Sequence, residues 1–275
     1  MSEIIAATDF SDIAENAVRY ACNLAKACDA TVTVAHSFII PVAFSDTPMP
    51  VMPVDEGREI AEEKMTALLE KLQAEFPQLP ITGKVMYGDI VDSLQEYTEE
   101  NSSPWLIVLG NSDVDDDSAI WLGSTVLNAL KNLPYPVMAV PPGVSYKPVN
   151  KICFTCDVKH ITNELPSQQL LGLVEETKAA LHVLTIGHDD KGFSPDTVME
   201  NEELRMYLSS AKPEYHFVDS KDVDTAIQNF VEENQADWLV AIPHKHSFFE
   251  GIFHKGHVKA MIRMTHIPLV ALHDK

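Results

Sequence analysis

Gly110, Gly123 and Ser124 frame the stretch 108–126, whose two ends have the makings of a phosphate cradle. A short apolar run, Leu106 to Leu109, leads into Gly110, and Gly123 is followed by Ser124, Thr125 and a helical pattern. Backbone N–H groups at a glycine turn and at a helix N-terminus attract phosphate. Between the two ends lie Asp113, Asp115, Asp116 and Asp117, four carboxylates where a phosphate calls for neutral or positive surroundings. At about 4 Å and a surface-like effective dielectric, one carboxylate–phosphate contact costs on the order of 4 kcal/mol. Asp9 and His36 sit at the ends of two other expected strands and are candidate ligand contacts. Each has a plainer alternative: Asp9 as the cap of the following helix, His36 as an ordinary strand-end residue.

A second stretch has the opposite polarity. "PHKHSFFEGIFHKGH" (243–257) carries His244, Lys245, His246, His254, Lys255 and His257 and precedes the helical run "VKAMIRMT". A helix N-terminus with Lys and His around it can hold an anion. Neutral imidazoles are also zinc ligands. No thiol or carboxylate pattern accompanies these histidines, so they read as solvated loop residues and no metal site is assigned. Cys153 and Cys156 fall three apart on one expected strand, roughly 10 Å from each other and on opposite faces. That is too far for a disulfide, and a buried structural pair is the reading. The chain has no nucleophile elbow, no cysteine with an evident base and no G-x4-G-K-[ST] loop, so no catalytic residue is assigned.

The elements that must position these residues occur twice. "SSPWLIVLGNSD" (102–113) matches "QADWLVAIPHKH" (235–246), placing Trp105 over Trp238. "DIVDSLQEYTEEN" (89–101) matches "DVDTAIQNFVEEN" (222–234), and Gly123 falls over Gly256, all at an offset of 133. "YPVMAVP" meets "IPLVALH" with Pro136 over Pro268, at 132, and "IIAATD" meets "ICFTCD" with Asp9 over Asp157, at 148. Two copies of one domain are expected, at 1–143 and 151–275, joined by a linker at 144–150 that belongs to the run "PPGVSYKPVN". Each copy alternates strands with helices, and several strands are continuously apolar. That pattern predicts a parallel sheet covered on both faces, with ligands beyond the carboxyl ends of the strands. Ser11 is the expected N-cap of the first helix. The proline-rich run 41–57 reads as a long exposed loop, followed by a helix with an apolar stripe at Ile60, Met65, Leu68, Leu69 and Leu72.

The 275-residue chain is 45% hydrophobic and 22% charged, enough to bury a core, and its formal charge is −21. Residues 1–150 hold 8 basic against 22 acidic side chains (−14), and residues 151–275 hold 12 against 19 (−7). With no basic cluster to offset it, this charge argues against nucleic acid or an anionic membrane as partner. Four cysteines, no secretory leader and no run of about 18 apolar residues predict a cytoplasmic protein.

The opening "ATDFS", the closing "YPVMAVP" and the glycine spacing, present in a doubled frame, resemble a tandem universal stress protein over about residues 2–273. The resemblance implies two doubly wound, five-stranded parallel-sheet domains of the adenine nucleotide α-hydrolase-like α/β fold. It also implies that they pair about a pseudo-twofold axis through 136–140 and 268–272. Some members bind ATP through an Asp after the first strand and a G-x2-G-x9-G-[ST] signature. Carried over by position, these are Asp9, Gly110, Asp113, Gly123 and Ser124, with Asp113 replacing the middle glycine. In the second copy the places are Asp157, Pro243, His246, Gly256 and His257, and only the aspartate and one glycine remain. The expectation is therefore a stress-associated protein that acts by binding, with a degenerate ATP signature in the first domain. A small anionic or nucleotide-like ligand is expected at the second, with His244, His246 and His257 as its contacts. Two alternatives stand beside it: an ATP-binding protein with slow, magnesium-dependent hydrolysis, and a protein-partner module with empty clefts. ATP is the one cofactor the resemblance brings, and a homodimer of the tandem chain is a further candidate assembly.

Overall fold

The computed structural model describes residues 2–40, 42–43, 49–50, 52–101, 103–111, 123–155, 165–187, 202–243 and 266–273. Runs such as "LIVLG" and "VMAV", apolar at every position, can be satisfied only by burial on both faces, and they form the middle of one ten-stranded sheet. The first five of its strands in the chain are β1 (Glu3–Ala7), β2 (Thr31–Phe38), β5 (Ile81–Tyr87), β6 (Leu106–Gly110) and β7 (Val137–Val140). The second five are β8 (Lys151–Thr155), β9 (Ala180–Gly187), β10 (Glu214–Asp219), β11 (Trp238–Ala241) and β12 (Leu269–Ala271). The order is β10-β9-β8-β11-β12-β7-β6-β1-β2-β5. Every neighbouring pair is parallel except β12–β7, which is antiparallel and joins the two halves. There Met138 pairs with Val270, flanked by Ala139–Leu269 and Val137–Ala271, the register expected about a pseudo-twofold axis. Pairing the last strands removes two exposed edges from the sheet.

Helices cover both faces. Among the described residues they are α1 (Asp12–Cys28), α2 (Val54–Glu75), α3 (Ile90–Glu100), α4 (Ser124–Asn132), α5 (Ser167–Thr177), α6 (Glu202–Leu208) and α7 (Val223–Asn234). Ser11 caps α1 by accepting from the Ala14 N–H at 3.2 Å. Asp89 and Asp222 cap α3 and α7 at matching places. One core layer, under α1, α2, α5 and α6, runs through both halves, and the other lies under α3, α4 and α7. Trp238 is fully buried in the first layer and donates its indole N–H to Tyr20 Oη of the other half at 2.8 Å. His273 closes the seam from the far side, its Nε2 at 2.7 Å from the Leu130 carbonyl. No helix among the described residues is long and apolar enough to cross a membrane.

Three sequence expectations change. The run 41–57 is not all loop: β3 (Val42–Ala43) and β4 (Met49–Pro50) form an antiparallel hairpin, and α2 already begins at Val54. Pro53 holds extended backbone just ahead of the helix, where its missing N–H breaks no bond, and Asp55 and Glu56 suit the first turn. Second, Ile60 is 42% exposed, and the buried stripe of α2 runs through Ala61, Met65, Leu68 and Leu72 instead. The third is a register. β6 pairs Leu106 with Ile4, while β11 pairs Trp238 with Ile152, so Trp238 is the counterpart of Leu106 and not of Trp105. The two helices start at an offset of 133, but α7 runs one residue longer than α3 and the turn after it is two residues shorter, so the strands stand at 132. The run 258–265, expected to be helical, lies outside the described residues, as does Cys156. Cys153 is buried.

Candidate functional site

In the first half the strand order reverses between β1 and β6, the switch point at which an open α/β sheet leaves a crevice. Thr8 anchors the chain there. Its N–H donates to the Ala35 carbonyl at 2.8 Å, and its buried hydroxyl accepts from the Phe10 N–H at 2.9 Å. Phe10 turns the chain with a φ of 66°. Asp9 is left exposed between them, with Oδ1 accepting from the Ser11 N–H at 2.9 Å. Ser11, not Asp9, caps α1, so the capping alternative for Asp9 falls. His36, at the end of β2, lies with Nδ1 2.8 Å from the Thr8 carbonyl and its ring 4.3 Å from that of Phe10. A carbonyl only accepts, which puts a proton on Nδ1 and leaves Nε2 as the acceptor of a neutral ring.

Gly110 ends β6 against the first turn of α1. A Cβ there would stand 2.8 Å from the Ile13 carbonyl oxygen, so the glycine is required by backbone approach whatever the cleft binds. Next to it, Asn111 is fully buried and donates its backbone N–H to the Val140 carbonyl, and its side-chain oxygen and nitrogen have no partner among the described residues. Buried amides without partners are rare. Gly123 opens α4 in an extended conformation with no side-chain cap, and Ser124 and Thr125 are exposed. Because α4 links β6 to its parallel neighbour β7, its N-terminus lies at the carboxyl end of the sheet, on the side of Asp9, His36 and Gly110. Asp113, Asp157, His244, His246, Gly256 and His257 lie outside the described residues. The register gives the second half's counterpart of Gly110 as Ile242, 6% exposed, and not Pro243.

Burial pushes the Cys22 thiol up to about 12 and the Cys28 thiol to about 11. A cavity of about 450 Å³ lined by Trp105, Pro136, Leu165, Gln169 and His273 opens at the amino-terminal ends of β6 and β7, away from the switch point.

One group of chemistry-bearing side chains escaped the sequence reading. His182 on β9 stands opposite Glu214 on β10, and His216 follows two residues on, on the same face. His182 Nδ1 lies 3.0 Å from His216 Nε2, and Glu214 Oε2 lies 3.8 and 3.9 Å from the same two nitrogens. Burial, and then the neighbouring His182, hold His216 below the ordinary imidazole value, with Glu214 opposing. The available signal was "EYH" in a strand, whose acidic and imidazole side chains must share a face.

The model of the universal stress protein family matches residues 1–141. The chain belongs to the universal stress protein family. Solved structures agree over the whole chain. A universal stress protein from Archaeoglobus fulgidus DSM 4304 is 17% identical, with a TM-score of 0.73 and 98% of each chain covered. A Pseudomonas aeruginosa PAO1 protein of unknown function is 13% identical, with a TM-score of 0.63, covering 99% of this chain and 92% of that one. The cytoplasmic domain of a prokaryotic cation chloride cotransporter is 9% identical, with a TM-score of 0.50, covering 99% and 95%. At these identities the likeness is one of fold. No curated protein sequence matches this universal stress protein.

Proposed function

We propose that this universal stress protein acts by binding a small nucleoside-type or anionic ligand, and that it has no catalytic turnover. The observation that carries the reading is Asp9: an exposed carboxylate at the switch point of the first half, held among the described residues by the Ser11 N–H through Oδ1 alone. Its remaining acceptor capacity suits the amino or hydroxyl groups of a nucleoside. His36 Nε2 adds an acceptor, Phe10 an apolar ring, and the buried Asn111 amide, without a partner among the described residues, a further polar group beside Gly110. The open N-terminus of α4 would receive a phosphate. Asp113 and Asp115–Asp117 oppose that step, so the first cleft is expected to favour a ligand with little negative charge. The second unit, 151–275, joined through 144–150 to the first at 1–143, then takes the anionic role through its loop at 243–257, around Gly256 and His257.

Calorimetric titration of adenosine and of ATP, with and without magnesium, into the full-length protein tests this. Heat with adenosine that vanishes in Asp9→Ala supports the first cleft, and ATP binding lost in Gly256→Asp supports the second. No heat from either ligand overturns the reading. Magnesium-dependent ATP turnover that disappears in Gly123→Asp would replace it with slow hydrolysis.

A further inference from the structure

We propose that His182, Glu214 and His216 form a three-ligand site for a zinc-class divalent metal at the edge of the second half. Among the described residues, this is the group of three metal-ligating side chains whose donor atoms all lie within 4.8 Å of one another. A tetrahedral ion with bonds of about 2.0–2.1 Å places its ligand atoms about 3.3–3.4 Å apart. The observed separations of 3.0, 3.8 and 3.9 Å bracket that value, so shifts of a few tenths of an ångström bring all three onto one ion. Two imidazoles and one carboxylate are a donor set zinc takes where it keeps a fourth position open.

The surroundings grade from wall to mouth. The His182 side chain is 8% exposed, that of His216 28% and that of Glu214 71%. The His216 ring lies edge-on to Phe230 of α7 at 4.8 Å and stacks on His182 at 5.1 Å. The two imidazoles are therefore held before any ion arrives, while β10, the edge strand, leaves the outer side to solvent. Without a metal, the 3.0 Å contact between ring nitrogens needs one shared proton. With a metal, both nitrogens present lone pairs, and the ring that carried that proton keeps it on its other nitrogen.

The first half supplies an internal comparison. Through the β2–β5 and β9–β10 registers, the same three places are Thr33, Thr82 and Lys84. There the hydroxyls of Thr33 and Thr82 stand 3.2 Å apart, and Lys84 Nζ lies 5.6 Å from the centroid of Tyr97, the counterpart of Phe230. A cation thus sits by the aromatic ring in the first half as part of the chain. In the second half the chain offers lone pairs for one from solution.

The test uses full-length protein stripped with a chelator and titrated with Zn2+ against a chromogenic competitor, and with Co2+ followed by absorption. One equivalent should bind, and Co2+ should give the strong visible bands of a four-coordinate site. His216→Asn should weaken Zn2+ by at least about 10–100-fold, the range that even loss of an outer partner costs. Glu214→Gln, at an exposed position, should weaken it without disturbing the fold. The pair His182→Thr with His216→Lys copies the first half's own solution and should keep the fold while abolishing the equivalent. His244→Asn with His246→Asn should leave it intact. Absence of a stoichiometric equivalent, or one indifferent to His216→Asn and Glu214→Gln, would overturn the site and leave a structural histidine pair.

Discussion

The β2–β5 corner of the first half and the β9–β10 corner of the second are the same place in the fold with different chemistry. Thr33, Thr82 and Lys84 make one surface; His182, Glu214 and His216 make the other. Both present three side chains on the face under α3 or α7, with an aromatic residue, Tyr97 or Phe230, behind the third. The sheet register is common to both, so the frame fixes where side chains meet and leaves open which ones do. The two β6/β11 positions teach the same lesson for packing. Gly110 admits the backbone of α1, while its counterpart Ile242 fills its space with a side chain.

The largest effect that could break this comparison concerns the tryptophans. Trp238→Ala should cost about 3–5 kcal/mol in denaturant unfolding, since it empties a buried site and leaves Tyr20 Oη without its donor. Trp105→Ala, at a half-buried rim position, should cost no more than about 1–2 kcal/mol. Equal losses would mean that the two tryptophans are equivalent after all. Next in size, Zn2+ at a hundred times its dissociation constant should raise the unfolding free energy by about 2.7 kcal/mol. The gain should be absent in the His182→Thr, His216→Lys protein, and its survival there would erase the contrast between the corners. Gly110→Ala should cost about 1–3 kcal/mol by forcing α1 off β6. A neutral outcome in thermal melts would show that α1 can give way. The smallest effect is expected at Lys84→Gln, about 0.5–1 kcal/mol for an exposed cation–π contact with Tyr97. A cost near zero would show that Lys84 is not the first half's substitute for a bound ion.

Most of the frame was legible. Ser11 as N-cap, the buried face of α1 and the boundaries of α3, α4 and β6 follow from short-range chemistry: an oxygen that satisfies free N–H groups, and a 3.6-residue apolar period. The start of α2 was not legible, because prolines at 41, 48, 50 and 53 read as loop although Pro53 sits where a helix tolerates one. At the switch point, Asp9, Gly110 and Gly123 stood out by type and spacing. Asn111 did not, since a single amide after a strand carries no pattern. Only its full burial without a partner among the described residues marks it.

By itself the sequence determined the alternation of strands and helices and the doubling of the unit, the first written in local periodicity and the second in a long repeated match. The pairing of the last strands came only with the family resemblance that the doubled frame carries. Tertiary structure alone decided which residue of one half stands for which of the other. Identity aligned Trp105 with Trp238, but in a strand a slip of one residue exchanges the two faces, and the burial of Trp238 beside Tyr20 admits one register only. The same register brings His182 to Glu214 and His216 across 34 residues of chain, a meeting that depends on which strands lie side by side and that spacing along the chain does not encode.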